Sequence, residues 1–307
     1  MFKKIIKFAL KLIPFKKNFF LVIRLLLKPS QNVFQHLTFK GYFKVLTGKG
    51  SFKIHHTETI IENNLFWKGV DGFEPHSLKI WEKLCRNADT IFDVGANSGI
   101  YSLIAKAENP SSKVYAFEPV ERVFKFLERN VSLNDYDVIC SKQAISNTCG
   151  NGFFVDDYED FTQTVTINMD LEAVAKFRGI GTDQLHNVET TLITLDTFIE
   201  ENNISCIDLM KIDVETHEAE VLEGFEKGLK DFKPTLLIEI IRDHVAASLE
   251  EQLDNLGYNF FYINEPFGGQ DEQLEGEIYQ KVESLIGANF GNYLICSDDK
   301  ARELNLM

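Results

Sequence analysis

The sequence predicts an α/β fold organised around a doubly wound sheet, and three observations carry that prediction. The run Thr90 to Gly99, Thr-Ile-Phe-Asp-Val-Gly-Ala-Asn-Ser-Gly, is a buried-type strand that breaks into a glycine turn and opens a helix. The run Lys113 to Pro119 is a second strand ending on an acid, and Glu118 lies roughly 20 residues beyond the turn, where such acids meet ribose hydroxyls. Beyond these, apolar strands alternate with helical periods to the end of the chain, as parallel strands joined by helical crossovers require.

The elements follow in chain order from a charge discontinuity. Residues 1–57 hold twelve Lys and Arg and no acid, whereas the other 250 residues hold all 46 acids against 20 basic residues. The sequence thus reads as a basic arm (1–57) on an acidic body (58–307) that stands on its own, and the acidic body argues against a nucleic-acid groove. Phe2, Ile5, Ile6, Ala9, Leu12 and Ile13 recur at helical spacing, with Lys3, Lys4, Lys7 and Lys11 largely opposite, which predicts a basic amphipathic helix. The next apolar run, Phe19 to Leu27, contains Arg24 and falls short of the ~20 residues that span a bilayer. No small-residue cleavage site follows, so a removable leader is not expected. Two readings of residues 1–30 stay open. One is peripheral contact with the inner face of a membrane by a cytoplasmic protein, and the other is packing, over the body or in a homodimer.

At the glycine turn, Gly95 and Gly99 let the backbone approach a ligand closely. A pyrophosphate dinucleotide would meet the charge of Asp93, and Asn97 stands where a dinucleotide fingerprint wants a second glycine. S-adenosylmethionine carries an ammonium and a sulfonium and no phosphate, so an acidic turn suits it better. Pro119 then starts a helix near 120–132. Strands are expected at Val138 to Cys140, Ile207 to Ile212, Thr235 to Ile240, Asn259 to Ile263 and Asn292 to Cys296, with helices near 217–228 and 245–256. Between about 148 and 192 the pattern becomes polar and aromatic, with Phe153 to Val155 and Thr162 to Ile167 alternating like antiparallel strands, which predicts an insertion near the substrate side. The loop Asn264 to Gly287, with Pro266-Phe-Gly-Gly269 and the acids Asp271, Glu272 and Glu275, reads either as a cover for a hydroxyl-rich acceptor or as a solvated acidic face. Five widely spaced cysteines, Cys85, Cys140, Cys149, Cys206 and Cys296, fit reduced thiols better than a disulfide framework or a zinc site.

A second cluster, Lys211, Asp213, Glu215, His217 and Glu218, crowds the carboxyl end of the strand ending at Ile212, where open α/β sheets bind ligands. Asp213 is placed near the reacting atom, to take a hydroxyl proton or to hold the hydroxyl in line. The same spacing also suits a divalent ion. His217 is the rival base because imidazole is better matched in pKa, or else it starts the following helix. Glu218 fits the first turn of that helix. Glu239 ends a buried strand with a charge that needs a partner. His55, His56 and His244 have no ligand-like spacing.

Together these residues resemble the FkbM family of S-adenosylmethionine-dependent methyltransferases over roughly residues 65–297. The matching motifs are Phe92-Asp-Val-Gly-Ala-Asn-Ser-Gly99, Ala116-Phe-Glu-Pro119, Leu127 with Asn130 and Asn134, Ala144-Ile-Ser146, Thr194-Leu-Asp196, Lys211-Ile-Asp-Val-Glu215 and Leu237-Ile-Glu239. The resemblance implies a Rossmann-like class I methyltransferase sheet with an antiparallel last strand. It implies a cofactor site of Asp93, Gly95, Ala96, Asn97, Gly99, Glu118, Pro119, Gln143, Ala144 and Asp213, and catalytic candidates Asp213, His217, Glu215 and Glu239, with no metal ligand assigned. It further implies O-methylation of a small-molecule or glycan hydroxyl. An amino-methylating signature is absent, since Asp213-Val-Glu-Thr stands at the strand end. Thr216 occupies a position where the family usually has Gly, and Thr disfavours the positive φ that Gly permits. The stretch Asp170 to His186 also departs from the family pattern. Against this stand a nicotinamide oxidoreductase, which Asp93 and Asn97 disfavour, and a non-catalytic membrane-associated module.

Overall fold

The computed structural model describes residues 16–27, 29–156, 172, 175, 181–266 and 277–307. The basic helix expected from Phe2 to Ile13, the strand at Thr162 to Ile167 and the acids Asp271, Glu272 and Glu275 lie outside the described residues.

The described chain begins with α1 (Lys16–Leu27) and the single turn α2 (Gln31–Phe34), followed by a hairpin of β1 (Gly41–Leu46) and β2 (Ser51–His56). Helices α3 (Ile60–Lys68) and α4 (Pro75–Cys85) lead into the parallel core: β3 (Thr90–Val94), α5 (Ile100–Glu108), β4 (Lys113–Phe117), α6 (Glu121–Leu133) and β5 (Val138–Ser141). A small sheet follows, with β6 (Gln143–Ile145), β7 (Gly150–Asp156) and β8 (His186–Ile193). The chain then returns through α7 (Leu195–Glu201) to β9 (Leu209–Ile212), and helices α8 (Glu218–Glu223) and α9 (Glu226–Phe232) precede β10 (Thr235–Ile240). It ends with α10 (Asp243–Leu253), β11 (Tyr258–Ile263), β12 (Tyr279–Val282), β13 (Gly291–Ser297) and α11 (Asp298–Glu303).

The main sheet has eight strands in the order β12-β11-β13-β10-β9-β3-β4-β5. Strands β10, β9, β3, β4 and β5 are parallel, and the last strand, β13, runs antiparallel between β10 and β11. This is the doubly wound, Rossmann-like sheet with an antiparallel last strand. The order reverses at β3, which has β4 on one side and β9 on the other, so the ends of β3 and β9 bound the crevice where such sheets take ligands.

Pleating divides the core. Phe92, Val94, Met210, Ile212, Leu236 and Ile238 face one apolar layer, while Ile91, Leu209 and Leu237 face the other. That second layer contains Phe20, Phe34, Phe39, Phe43, Val45, Phe52 and Ile54, each at most 2% exposed. Phe20, Phe34 and the inner face of the hairpin thus share one apolar layer with the main sheet. The alternation Phe43, Val45 on β1 and Phe52, Ile54 on β2 is the physical cause, because it turns one whole face of the hairpin inward. Asn130 of α6 and Asn134 at its C-cap fasten the hairpin's outer edge. Asn134 Oδ1 accepts from the Lys53 N–H at 2.6 Å and its amide donates to the Lys53 carbonyl at 2.7 Å. Asn130 Oδ1 accepts from the His55 N–H at 3.0 Å, while its amide donates to the Ser98 carbonyl at 2.8 Å.

In the small sheet β7 runs antiparallel to β8, as its alternation predicts. The single helix expected over 217–228 is instead two, α8 and α9. Asp196 causes the break, because its carboxylate accepts from the N–H groups of Lys227 and Gly228, both at 2.9 Å, and so caps α9 as a separate helix. All five cysteines are free thiols.

Candidate active site

Strand β3 ends in a turn whose shape is fixed by backbone. The N–H groups of Gly95 and Ala96 both donate to the Phe117 carbonyl, at 3.0 and 2.9 Å. Gly95 has φ +83°, and a Cβ on it would lie 1.8 Å from the Asp213 carbonyl oxygen, so only glycine lets β3 and β9 end side by side here. Asn97 takes the left-handed conformation at φ +48°. Gly99, at φ +91°, is the N-cap of α5.

These ends enclose a cleft of about 270 Å³. Of the residues expected in the cofactor site, Gly95, Ala96, Asn97, Glu118, Pro119, Gln143, Ala144 and Asp213 line it, and so do the catalytic candidates Glu215 and Glu239. Asp93, Gly99 and His217 do not. Asp93 was expected to offer its charge to the ligand, but it is buried under α5, where Oδ2 accepts from Ser102 N–H at 2.9 Å and Ser102 Oγ at 2.6 Å. It satisfies a donor in the first turn of a helix whose N-cap glycine has no side chain to do so. Burial pushes its carboxyl up to about 6, with the Ser102 contacts and Lys211 opposing. His217 packs toward β6, with Nε2 3.0 Å from Ser146 Oγ and Nδ1 3.5 Å from Glu220. Burial holds its pKa below the usual imidazole value despite Glu220.

Glu118 spans the turn. Its two carboxylate oxygens accept from the N–H groups of Asn97 at 3.1 Å and Val120 at 2.9 Å, yet burial outweighs these bonds and raises the carboxyl to about 7. Across the cleft, one carboxylate oxygen from each of Asp213, Glu215 and Glu239 falls within 4.8 Å of the others. The countercharge is Lys211, almost fully buried, with Nζ 3.2 Å from Asp213 Oδ2, 3.3 Å from Asn292 Oδ1 and 5.2 Å from the centre of the Tyr101 ring. Burial works against its charge, but Asp213, Glu74 and Glu239 prevail and hold the ammonium above its usual pKa. Glu239 is pushed up to about 9, first by the neighbouring Asp213 charge and then by burial, so it keeps its proton at neutral pH.

Sequence reasoning missed Glu74 and Tyr101. Both line the cleft, and Tyr101 Oη donates to Glu74 Oε2 at 2.5 Å. Burial raises Glu74 to about 6, with Lys211 opposing. The available signal was an acid directly before Pro75, which occupies the first turn of α4.

The loop after Asp213 keeps the glycine-type backbone without the glycine. Glu215 and Thr216 have φ of +57° and +76°, and Glu218 Oε1 steadies the turn by accepting from Val214 N–H at 3.1 Å and Thr216 N–H at 3.2 Å. A β-branched residue in this region carries ~1–2 kcal/mol of strain. Thr216→Gly should relieve it, less ~0.5–1 kcal/mol of added unfolded-chain entropy, for a net gain of up to ~1 kcal/mol. Calorimetry should register a thermal midpoint ~2 °C higher, and a lower midpoint would mean that the Thr216 side chain contributes more than its backbone costs.

The sequence profile of the Methyltransferase FkbM domain matches residues 93–260. The 31-O-demethyl-FK506 methyltransferase FkbM of Streptomyces tacrolimicus is 32% identical over 158 residues, covering 46% of this chain and 61% of that protein. The hexuronic acid methyltransferase AglP of Haloferax volcanii is 26% identical over 142 residues, covering 46% of this chain and 52% of its own. The chain thus spans less than two thirds of the length of either relative. Among solved structures, a methyltransferase FkbM from Methylobacillus flagellatus KT aligns at 12% identity and a TM-score of 0.40, over 67% of this chain and 43% of that one, which is too distant to add to the fold assignment.

Proposed function

Because the chain belongs to the FkbM methyltransferase family, we propose that it is an S-adenosylmethionine-dependent O-methyltransferase acting on a hydroxyl of a sugar, glycan or related natural product. The observation that carries this reading is a single cleft joining the glycine turn and Glu118 to the three carboxyl groups of Asp213, Glu215 and Glu239. An acceptor carried on lipid, and a cytoplasmic enzyme held at the inner face of a membrane, fit the charge of the N-terminal residues.

The cleft residues suit this cofactor. Glu118 would accept from ribose hydroxyls, and the open backbone at Gly95 to Asn97 would take the ligand without a phosphate cradle. The acids around Asp213 favour a cation. S-adenosylmethionine supplies an electrophilic methyl group on a sulfonium. Asp213 is suited to accept the acceptor hydroxyl's proton, while Glu239, neutral at pH 7, is suited to donate a hydrogen bond that orients that hydroxyl. Lys211 Nζ, 3.2 Å from Asp213 Oδ2, is the partner of the Asp213 carboxylate, and the Asp213 charge is in turn the largest influence raising Glu239. No role for a divalent ion is proposed, since Lys211 already supplies a positive charge to this cluster.

Glu118→Ala should weaken S-adenosylmethionine binding by ~1–3 kcal/mol, as loss of hydrogen bonds to a charged group does. Accepting from ribose favours the ionised carboxylate, and the free carboxyl titrates at about 7. A proton must therefore leave on binding below that pH, so affinity should fall as pH drops through the window from about 7 toward 5, by at most about tenfold per unit. In Glu118→Gln the profile should be flat. An unchanged dissociation constant in both variants would remove Glu118 from the ribose.

Calorimetric titration with S-adenosylmethionine, S-adenosylhomocysteine and NAD, followed by a methylation screen against glycan fractions, tests the reading as a whole. Binding of NAD alone would make the chain an oxidoreductase. Cofactor binding with no methyl transfer to any hydroxyl acceptor would favour a non-catalytic module.

A further inference from the structure

Helix α1 carries an apolar face that no other element among the described residues covers. Phe20 is buried, its ring 5.9 Å from Trp67, and Arg24 donates to the Phe66 carbonyl, so one side of α1 is fixed on α3. On the opposite side Phe19, Val22, Leu25 and Leu26 are 45%, 53%, 74% and 75% exposed, and they follow one another at helical spacing as a continuous stripe. Isolated exposed apolar residues are ordinary on protein surfaces, but a stripe of four on one helix is not. No helix among the described residues is long and apolar enough to cross a membrane.

Charge indicates what covers the stripe. The first 57 residues carry twelve basic side chains and no acid, and Lys16 and Lys17 begin this very helix, whereas the body is strongly acidic. An anionic lipid surface attracts the first and repels the second, which fixes the orientation. A second copy of the chain would bring two cationic segments together, and four side chains offer on the order of a few hundred Å², short of the about 1,000 Å² that a stable dimer needs. We propose that the Phe19, Val22, Leu25 and Leu26 face of α1 is a docking surface for anionic lipid, on which the protein lies peripherally. Helix α3, on which α1 packs, also contributes Ile61 to the cleft, so docking brings the cleft close to the lipid surface. The proposal does not depend on the acceptor assigned above.

Co-sedimentation of the full chain with vesicles tests it. The protein should pellet with phosphatidylcholine vesicles containing phosphatidylglycerol at low salt, and should stay in solution with pure phosphatidylcholine or at high salt, where charges are screened. The triple variant Val22→Glu, Leu25→Glu, Leu26→Glu should bind at least tenfold less with an unchanged thermal midpoint. The corresponding triple Gln variant, which adds no negative charge, should lose most of the binding as well, because apolar insertion and charge act together. Absence of binding to anionic vesicles at low salt overturns the proposal, and so does full binding by the Gln variant. Light scattering that shows a dimer in the wild type and a monomer in either variant would assign the stripe to a self-association interface instead. Titration of S-adenosylmethionine in solution, without lipid, checks the cofactor site separately.

Discussion

A chain beginning at Glu58 is expected not to fold: it should be insoluble or should show no cooperative thermal transition. Deleting residues 1–57 removes Phe20, Phe34, Phe39, Phe43, Val45, Phe52 and Ile54, all buried in the apolar layer shared with Leu209, Leu237 and Leu294 of the main sheet. At ~1.5–3 kcal/mol for each large apolar side chain, the loss is on the order of 10 kcal/mol, comparable to the whole stability of a typical domain. The deletion also removes the Lys53 and His55 backbone groups that Asn134 and Asn130 bind. A chain beginning at Lys16 keeps all these contacts and should melt cooperatively. Circular dichroism and size exclusion separate the two cases. A Glu58 fragment that is monomeric, melts cooperatively and binds S-adenosylmethionine would mean that the hairpin is an accessory element.

Asp213→Asn is expected to lower turnover ~100-fold or more while weakening cofactor binding far less, because it removes the proton acceptor without changing side-chain size and leaves the other acids of the cleft in place. It should also let Glu239 titrate closer to the ordinary carboxyl range, since the Asp213 charge is the largest influence raising it. A pH–rate profile for Asp213→Asn therefore differs in shape as well as height from one that lost only positioning. His217→Gln provides the contrast. His217 does not line the cleft and faces Ser146, so its loss should leave turnover within a few fold. If the outcomes are exchanged, the base is His217 acting through a rearranged α8; if chelation abolishes turnover and magnesium restores it, the three acids act as ligands.

The sheet was legible because its information is local. A buried parallel strand reads as an apolar run, and the glycine turn and Glu118 announce themselves at fixed spacing. Side-chain direction was harder. Asp93 sits in the turn motif, but the pleat that sends Phe92 and Val94 to one layer sends Asp93 to the other, and only the position of Ser102 on α5 shows what it serves. Glu74 was invisible for another reason, since it precedes Asp213 by well over a hundred residues and meets it only through the fold. The hairpin is legible in the same local way. Tyr42-Phe-Lys-Val-Leu and Phe52-Lys-Ile-His alternate on either side of Thr47-Gly-Lys-Gly50, a hairpin pattern obscured by the uniform positive charge of the segment. Thr216 shows the converse: the residue argued against a left-handed backbone, and Glu218 holds the chain there regardless.

The clasp of Asn130 and Asn134 on β2 has a consequence for how this protein behaves in a crowded solution. A two-stranded ribbon ordinarily offers its bare outer margin as a template on which a stray strand can polymerise. Here two side-chain amides occupy the N–H and carbonyl of Lys53 and the N–H of His55, groups that an incoming strand would need. The asparagines serve as a decoy strand, too short to be extended. Replacing both with leucine would keep the bulk but unmask the margin, converting a fold-stabilising contact into a seed for aggregation.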